Sequence, residues 1–139
     1  MDADETRIRL ELTAEFRTEL RRFMQRTKVV TRQVGLTAER YDLLLMIKSA
    51  PGERSTVTAL CERLQLRQTA VTELVKRAEE AGLLTREQSR RDARVSLLAL
   101  TPEAERRLMR AWEALREDRR ALAGAFDELR RRFQAWTAS

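Results

Sequence analysis

Leu108, Trp112, Leu115, Arg119, Leu122, Phe126, Leu129, Phe133 and Trp136 follow one another at alternating steps of four and three, and Arg119 alone interrupts the apolar set. That spacing lines side chains along one seam of a helix, and such a seam needs a facing surface of similar length. The chain's first segment has the same need. From Glu5 to about Val34 there is neither Gly nor Pro, and Ile8, Leu12, Phe16, Leu20, Phe23, Thr27, Val30 and Val34 recur at steps of four or three, the pattern of a long amphipathic helix. At 139 residues the chain is about one ordinary domain. Its two terminal helices, 5–34 and 102–137, offer more apolar surface than the short stretch between them can bury. They are therefore expected to be dimerisation helices that pair two copies of the chain. Gly124 is a point at which the last helix can divide in two.

Between them the elements follow in a definite order. Gly35 ends the first helix, and Thr37 can cap a second through Tyr41, Leu44, Leu45 and Ile47 that stops before Pro51 and Gly52. Val57 to Leu64 reads as a short third helix. After Gln65 and Leu66, the run RQTAVTELVKRAEEA reads as a fourth, closed by Gly82. The texture then changes. LLTREQ and RVSLLAL are strand-like runs on either side of the polar tip SRRDA, which predicts a β-hairpin. Thr101, Pro102 and Glu103 supply an N-cap, a proline in the first helical position and an acidic first turn, so the last helix starts there. The fold class is mainly α with a small β-hairpin wing: a winged helix-turn-helix lobe over 36–100, flanked by long N- and C-terminal dimerisation helices, the whole of 1–139 forming a single winged-helix domain.

Composition narrows the chemistry. The sequence has no histidine and a single cysteine, Cys61, so internal disulfides, the usual metal sites and histidine-based catalysis are not expected. Its few glycines are not clustered into a phosphate loop. Neither a cofactor nor an enzymatic activity is expected. No apolar run approaches the roughly 20 residues that cross a bilayer, and the start MDADETRIRLEL lacks the pattern of a secretory leader, so no membrane association and a cytoplasmic location are expected. The net charge of +6 comes mainly from arginine, whose planar fork suits phosphates and guanine edges. Cys61 falls between Leu60 and Leu64, where a small thiol packs inside.

The segment TALCERLQLRQTAVTELVKRAEEAGLL, followed by SRRDARVSLLALTPEAE, resembles the multiple-antibiotic-resistance regulator (MarR) family. The likeness runs from about Leu36 to Leu108. Its most specific part is the wing, where Asp92, Ala93 and Arg94, with Leu100 and Thr101 at the proper distance, are similar to the family's D-x-R-x5-LT signature. Gln65 stands where the family often has a turn glycine, Arg67 where it has a small hydroxyl N-cap, Ala78 where it has leucine, and Ala93 where the wing tip is often basic. The resemblance implies a dimeric, mostly helical transcription regulator, in the first instance a repressor, that binds double-stranded DNA and responds to small aromatic or phenolic compounds. It also implies that Asp92 holds the wing by pairing with an arginine such as Arg94.

A helix turns about 100° per residue, so Val71, Leu74, Val75 and Ala78 share the inward face of the fourth helix, and Thr69, Thr72, Glu73 and Lys76 point away, with Gln68 and Arg77 on the flanks. The N-terminal part of a recognition helix reaches base edges. Arg67, Gln68, Thr69 and Thr72 are accordingly the base-reading candidates, and Lys76 and Arg77 the phosphate-holding ones. Glu73 is ambiguous: its carboxylate either accepts from a cytosine amino group or repels phosphate. In the wing, Arg90, Arg91 and Arg94 crowd around Asp92, and Arg91 or Arg90 is expected to reach phosphate or a narrow minor groove. Two-fold symmetry predicts a pseudo-palindromic target. An effector, as the resemblance implies one, would meet Tyr41, Leu45 and Trp112. Two rivals share these features: a nucleoid-type protein binding nucleic acid without sequence selection, and a winged-helix module whose faces bind protein.

Overall fold

The computed structural model describes residues 2–137, with side chains through residue 135, so the side chain of Trp136 in the heptad series lies outside the described residues. The elements are α1 (Ala3–Gln33), α2 (Ala38–Lys48), a single 3-10 turn (Pro51–Glu53), α3 (Val57–Leu64), α4 (Gln68–Glu80), β1 (Leu84–Gln88), β2 (Ser96–Leu100), α5 (Pro102–Ala114) and α6 (Arg116–Thr137). A mainly helical chain with one antiparallel hairpin, ordered as a winged helix-turn-helix between long helices, matches the expected fold class.

The chain divides into two compact units. One is Thr31–Trp112, and the other joins the residues up to Val30 with those from Glu113 onward. The boundary between the units falls within the stretch 102–137 that the sequence assigns to dimerisation. Ala104, Leu108 and Ala111 of α5 are fully buried and belong to the first unit, as does Thr31, the buried last-turn threonine of α1. The sequence leaves open where the last helix divides. The helix is interrupted at Leu115, and Gly124 lies inside α6. Leu115 is buried and its carbonyl accepts from Arg119 N at 2.9 Å, so it serves as the starting residue of a new helix. A glycine inside a helix costs about 1 kcal/mol relative to alanine, less than the gain of about 1.5–3 kcal/mol from burying one apolar side chain such as Leu129 of the same helix.

In the Thr31–Trp112 unit the helix ends follow local chemistry. Gly35 takes a left-handed φ of 76° and lets Leu36 N reach back to Thr31 O at 2.9 Å, the bond that closes a helix through a left-handed residue. Thr37 caps α2 by accepting from Arg40 N at 3.1 Å, and Thr56 caps α3 by accepting from Ala59 N at 3.1 Å. The core collects Leu43, Leu44 and Ile47 of α2, Leu60 of α3, Val71, Val75 and Ala78 of α4, and Leu98 of β2, all fully buried. The hairpin pairs Leu84 with Leu100 and Gln88 with Ser96. A contact not foreseen in the sequence adds to it: Ser55 bridges Leu98, with Ser55 N donating to Leu98 O at 3.1 Å and Leu98 N donating to Ser55 O at 2.8 Å.

In the other unit, Leu12, Thr27 and Val30 of α1 and Leu129 of α6 are buried. Phe16 stacks on Phe126 with ring centroids 4.6 Å apart. Arg26 pairs with Asp118 at 3.1 Å and Arg132 with Glu15 at 2.7 Å. Burial is incomplete along α1, where Ile8, Phe16, Leu20 and Met24, at steps of four or eight, are all more than two-fifths exposed.

Candidate nucleic-acid interface

The site begins with α4, whose amphipathic pattern decides which side chains reach solvent. Val71, Val75 and Ala78 are fully buried and Leu74 is half-buried, so Arg67, Gln68, Thr69, Thr72, Glu73, Lys76 and Arg77 are all exposed. The helix lies between two firm turns. Before it, Gln65 holds a left-handed φ of 55°, a region most non-glycine residues avoid, and its side-chain amide donates to Glu62 O at 2.6 Å. The amide bond at the end of α3 stabilises a turn for which glycine is the cheaper residue. After it, Gly82 takes a φ of 74°, with Gly82 N donating to Glu79 O at 3.0 Å and Leu83 N to Ala78 O at 2.9 Å. These are the paired bonds of a Schellman closure.

Arg67 stands in the N-cap position of α4 with extended backbone and no side-chain cap bond. The first-turn N–H groups of a helix otherwise need a partner, and an anion can supply one. Further along, Arg77 Nε donates to Glu73 Oε1 at 3.0 Å, an i,i+4 pair on the exposed face. Arg77 therefore gives up a carboxylate if it moves to a phosphate. Lys76, Arg90 and Arg91 form no ion pair among the described residues.

The first wing strand starts buried and becomes exposed outward, with Leu84 buried and Thr85 to Gln88 exposed, whereas β2 is buried at Leu98 and Ala99 and half-buried elsewhere. Arg86 fastens β1 to α4 through Glu79 at 2.6 Å, and Arg54 pairs with Glu87 at 3.4 Å. At the tip Asp92 Oδ1 accepts from Arg94 N at 3.0 Å, and the Arg94 guanidinium donates to both Asp92 oxygens at 3.1 and 3.3 Å. Those bonds, the side-chain one foremost and the backbone one next, hold the Asp92 carboxyl below the usual carboxylate range. Arg94 is thus engaged in shaping the turn, and Arg90 and Arg91 project beside it.

The structure places Arg67, Gln68, Thr69, Thr72, Lys76 and Arg77 on one helix and Arg90, Arg91 and Arg94 on one hairpin tip. The residues named for an effector are less alike: Tyr41 is buried, Leu45 is half-buried on the next turn of α2, and Trp112 is 37% exposed. A shallow cavity of about 640 Å3 on α1, lined by Arg17, Arg21, Arg22, Arg26 and Val29 among others, involves none of the three. Cys61, expected inside, is half-buried. Among the described residues there is no cluster of metal-ligating side chains, and no helix is long and apolar enough to cross a membrane.

Sequence reasoning missed several contacts that tie the elements of this unit together. Arg63 donates to Met46 O at 2.6 Å and to Ser49 Oγ at 3.1 Å, finishing α2 from α3. Arg107 donates to Gly35 O at 3.2 Å and to Glu103 at 2.9 Å, and Lys48 bridges Glu53 and Glu105. In the sequence these basic residues look like any solvated charge.

The model for the MarR family matches residues 34–95. Among solved structures, AbsC, a MarR family transcriptional regulator from Streptomyces coelicolor, is 20% identical with a TM-score of 0.67, covering 84% of this chain and 74% of that one. Wild-type MarR from E. coli is 17% identical with a TM-score of 0.68, covering 78% and 79%. Reduced AbfR bound to DNA is 23% identical with a TM-score of 0.67, covering 97% and 98%. No curated protein sequence matches. The likeness read from the residues is borne out: the chain resembles MarR family transcription regulators in sequence over 34–95 and in fold over most of its length.

Proposed function

We propose that this chain is a DNA-binding transcription regulator of the MarR family that acts as a homodimer on a pseudo-palindromic operator, as a repressor in the cytoplasm. The observation that carries the reading is the exposed polar face of α4, anchored by three fully buried residues, Val71, Val75 and Ala78, and closed at either end by left-handed turns. A helix so anchored presents Arg67, Gln68, Thr69 and Thr72 in fixed geometry, which groove reading requires. Lys76 and Arg77 then lie against phosphates, and Arg90 and Arg91 extend the contact from the wing. AbfR, of similar fold, has been seen bound to DNA, which supports the same partner here.

The homodimer is supported by α1. Ile8, Phe16, Leu20 and Met24 leave an apolar row uncovered in the single chain, and contiguous apolar surface of this kind marks an interaction site. Two α4 helices about 34 Å apart would fit half-sites centred one turn of duplex apart. A small aromatic or phenolic effector contacting Tyr41, Leu45 and Trp112 would release the DNA.

Selection of genomic fragments with the purified protein, followed by footprinting and sedimentation, tests the reading. The expected result is a dimer enriching a sequence with inverted symmetry and half-sites centred about one turn apart. Equal affinity for an enriched fragment and random duplex would favour a nucleoid-type role, and no binding at low salt would favour a protein-binding module.

A further inference from the structure

Glu73 occupies an unexpected place for an acidic residue on a helix proposed to enter DNA. Relative to the buried residues Val71, Val75 and Ala78, helical geometry sets Glu73 close to the middle of the exposed face, with Thr69 one turn before it and Lys76 and Arg77 one turn after. Its carboxylate is not stray charge at the edge of the helix. It is held by Arg77, whose Nε donates to Oε1 at 3.0 Å, while about half of the Glu73 side chain stays exposed.

A carboxylate is acceptor-only. In the major groove the base-edge donors are the cytosine 4-amino and adenine 6-amino groups. The adenine donor lies between two acceptors, its own N7 and the O4 of the paired thymine, which repel a further acceptor, whereas the cytosine amino group has one, the O6 of the paired guanine, and a C–H on its other side. We propose that Glu73 is a specificity-determining residue that accepts a hydrogen bond from a cytosine 4-amino group in each half-site, with Arg77 as the positioning residue that holds and partly neutralises the carboxylate. This rests on the reading of α4 as the recognition helix. Selection works in two directions. A cytosine satisfies the carboxylate, whereas guanine or thymine at that place presents carbonyl acceptors to it and leaves a charge without a donor in a groove already lined by phosphates.

The test is selection from a randomised duplex library with the full-length protein and three variants, Glu73→Ala, Glu73→Gln and Arg77→Ala. The wild-type protein is expected to prefer cytosine at one position of each half-site by about tenfold. Glu73→Ala loses that preference, keeps those at other positions and binds random duplex more tightly, because a negative charge leaves the interface. Glu73→Gln moves the preference toward adenine, which glutamine can engage on two atoms. Arg77→Ala weakens binding to all sequences and reduces the cytosine preference without abolishing it. Enrichment by Glu73→Ala identical to wild type at every position overturns this inference alone. Loss of the cytosine in Arg77→Ala to the same degree as in Glu73→Ala reduces Glu73 to a support for Arg77 and overturns it too. A wild-type protein that enriches no sequence overturns the reading beneath it as well.

Discussion

The hydroxyl of Thr101 donates to Gly82 O at 2.8 Å and accepts from Ala104 N at 3.2 Å. One side chain thereby closes the turn after α4 and opens α5, and Thr101 N adds a bond to Leu83 O at 3.0 Å. Replacing Thr101 with alanine removes an N-cap and leaves a glycine carbonyl without its partner, which is expected to cost about 1–2 kcal/mol. Serine keeps both bonds and should recover most of the loss. Urea denaturation of the three proteins checks this; equal midpoints would show that the hydroxyl contributes nothing.

Gln65 offers the opposite kind of change. Its φ of 55° costs a residue with a Cβ about 1 kcal/mol or more, offset in part by the amide bond to Glu62 O. Gln65→Gly is expected to stabilise the protein by about 0.5–1 kcal/mol, and Gln65→Ala, which keeps the strain and drops the bond, to destabilise it. A thermal melt in which glycine lowers the midpoint would mean that the amide bond outweighs the strain.

The wing assignment rests on Arg90 and Arg91. Each phosphate contact contributes about 0.9 to the slope of log affinity against log salt. Arg90→Ala with Arg91→Ala is expected to reduce that slope by about 1–2 per wing and to leave the base preferences of α4 in place. An unchanged slope and affinity would remove the wing from the interface.

The Asp92 carboxyl, held below its ordinary value chiefly by Arg94, makes the wing tip acid-sensitive. A lowered folded-state value means that the stabilisation is present above the unfolded-state value and disappears as pH falls through the folded one. The tip should therefore keep its turn at neutral pH and lose it below about pH 4. Carboxyl titration by NMR should place Asp92 below an ordinary aspartate in the wild type and return it toward that value in Arg94→Ala. No movement in the variant would mean that the guanidinium bonds do not set the value.

Much of this was readable before any coordinates, for a reason that differs by residue. Thr37, Thr101, Gly35 and Gly82 act on neighbours three to five positions away, so their chemistry is written locally. The inward face of α4 follows from helical periodicity alone, and the polar residues opposite it follow by subtraction. The break at Leu115 was not readable, because the heptad series runs through it without a gap and Gly124 is the weaker residue by propensity. Nor were Ser55 with Leu98, Arg63 with Met46, or Arg107 with Gly35, since each joins segments far apart in sequence. The departures at Gln65 and Arg67 were visible as letters, but only the geometry shows that one holds its turn with an amide and that the other leaves a helix start uncapped.

The bridge between Ser55 and Leu98 has a bearing on how such a protein behaves when crowded. A lone β-ribbon has two unsatisfied margins, and either can recruit a stranger's strand. Here Ser55 occupies part of one margin, and the other belongs to β1, whose outer residues Thr85, Arg86, Glu87 and Gln88 carry polar and charged groups. The appendage can thus stand out from its lobe without serving as a seed for stacking one molecule on the next.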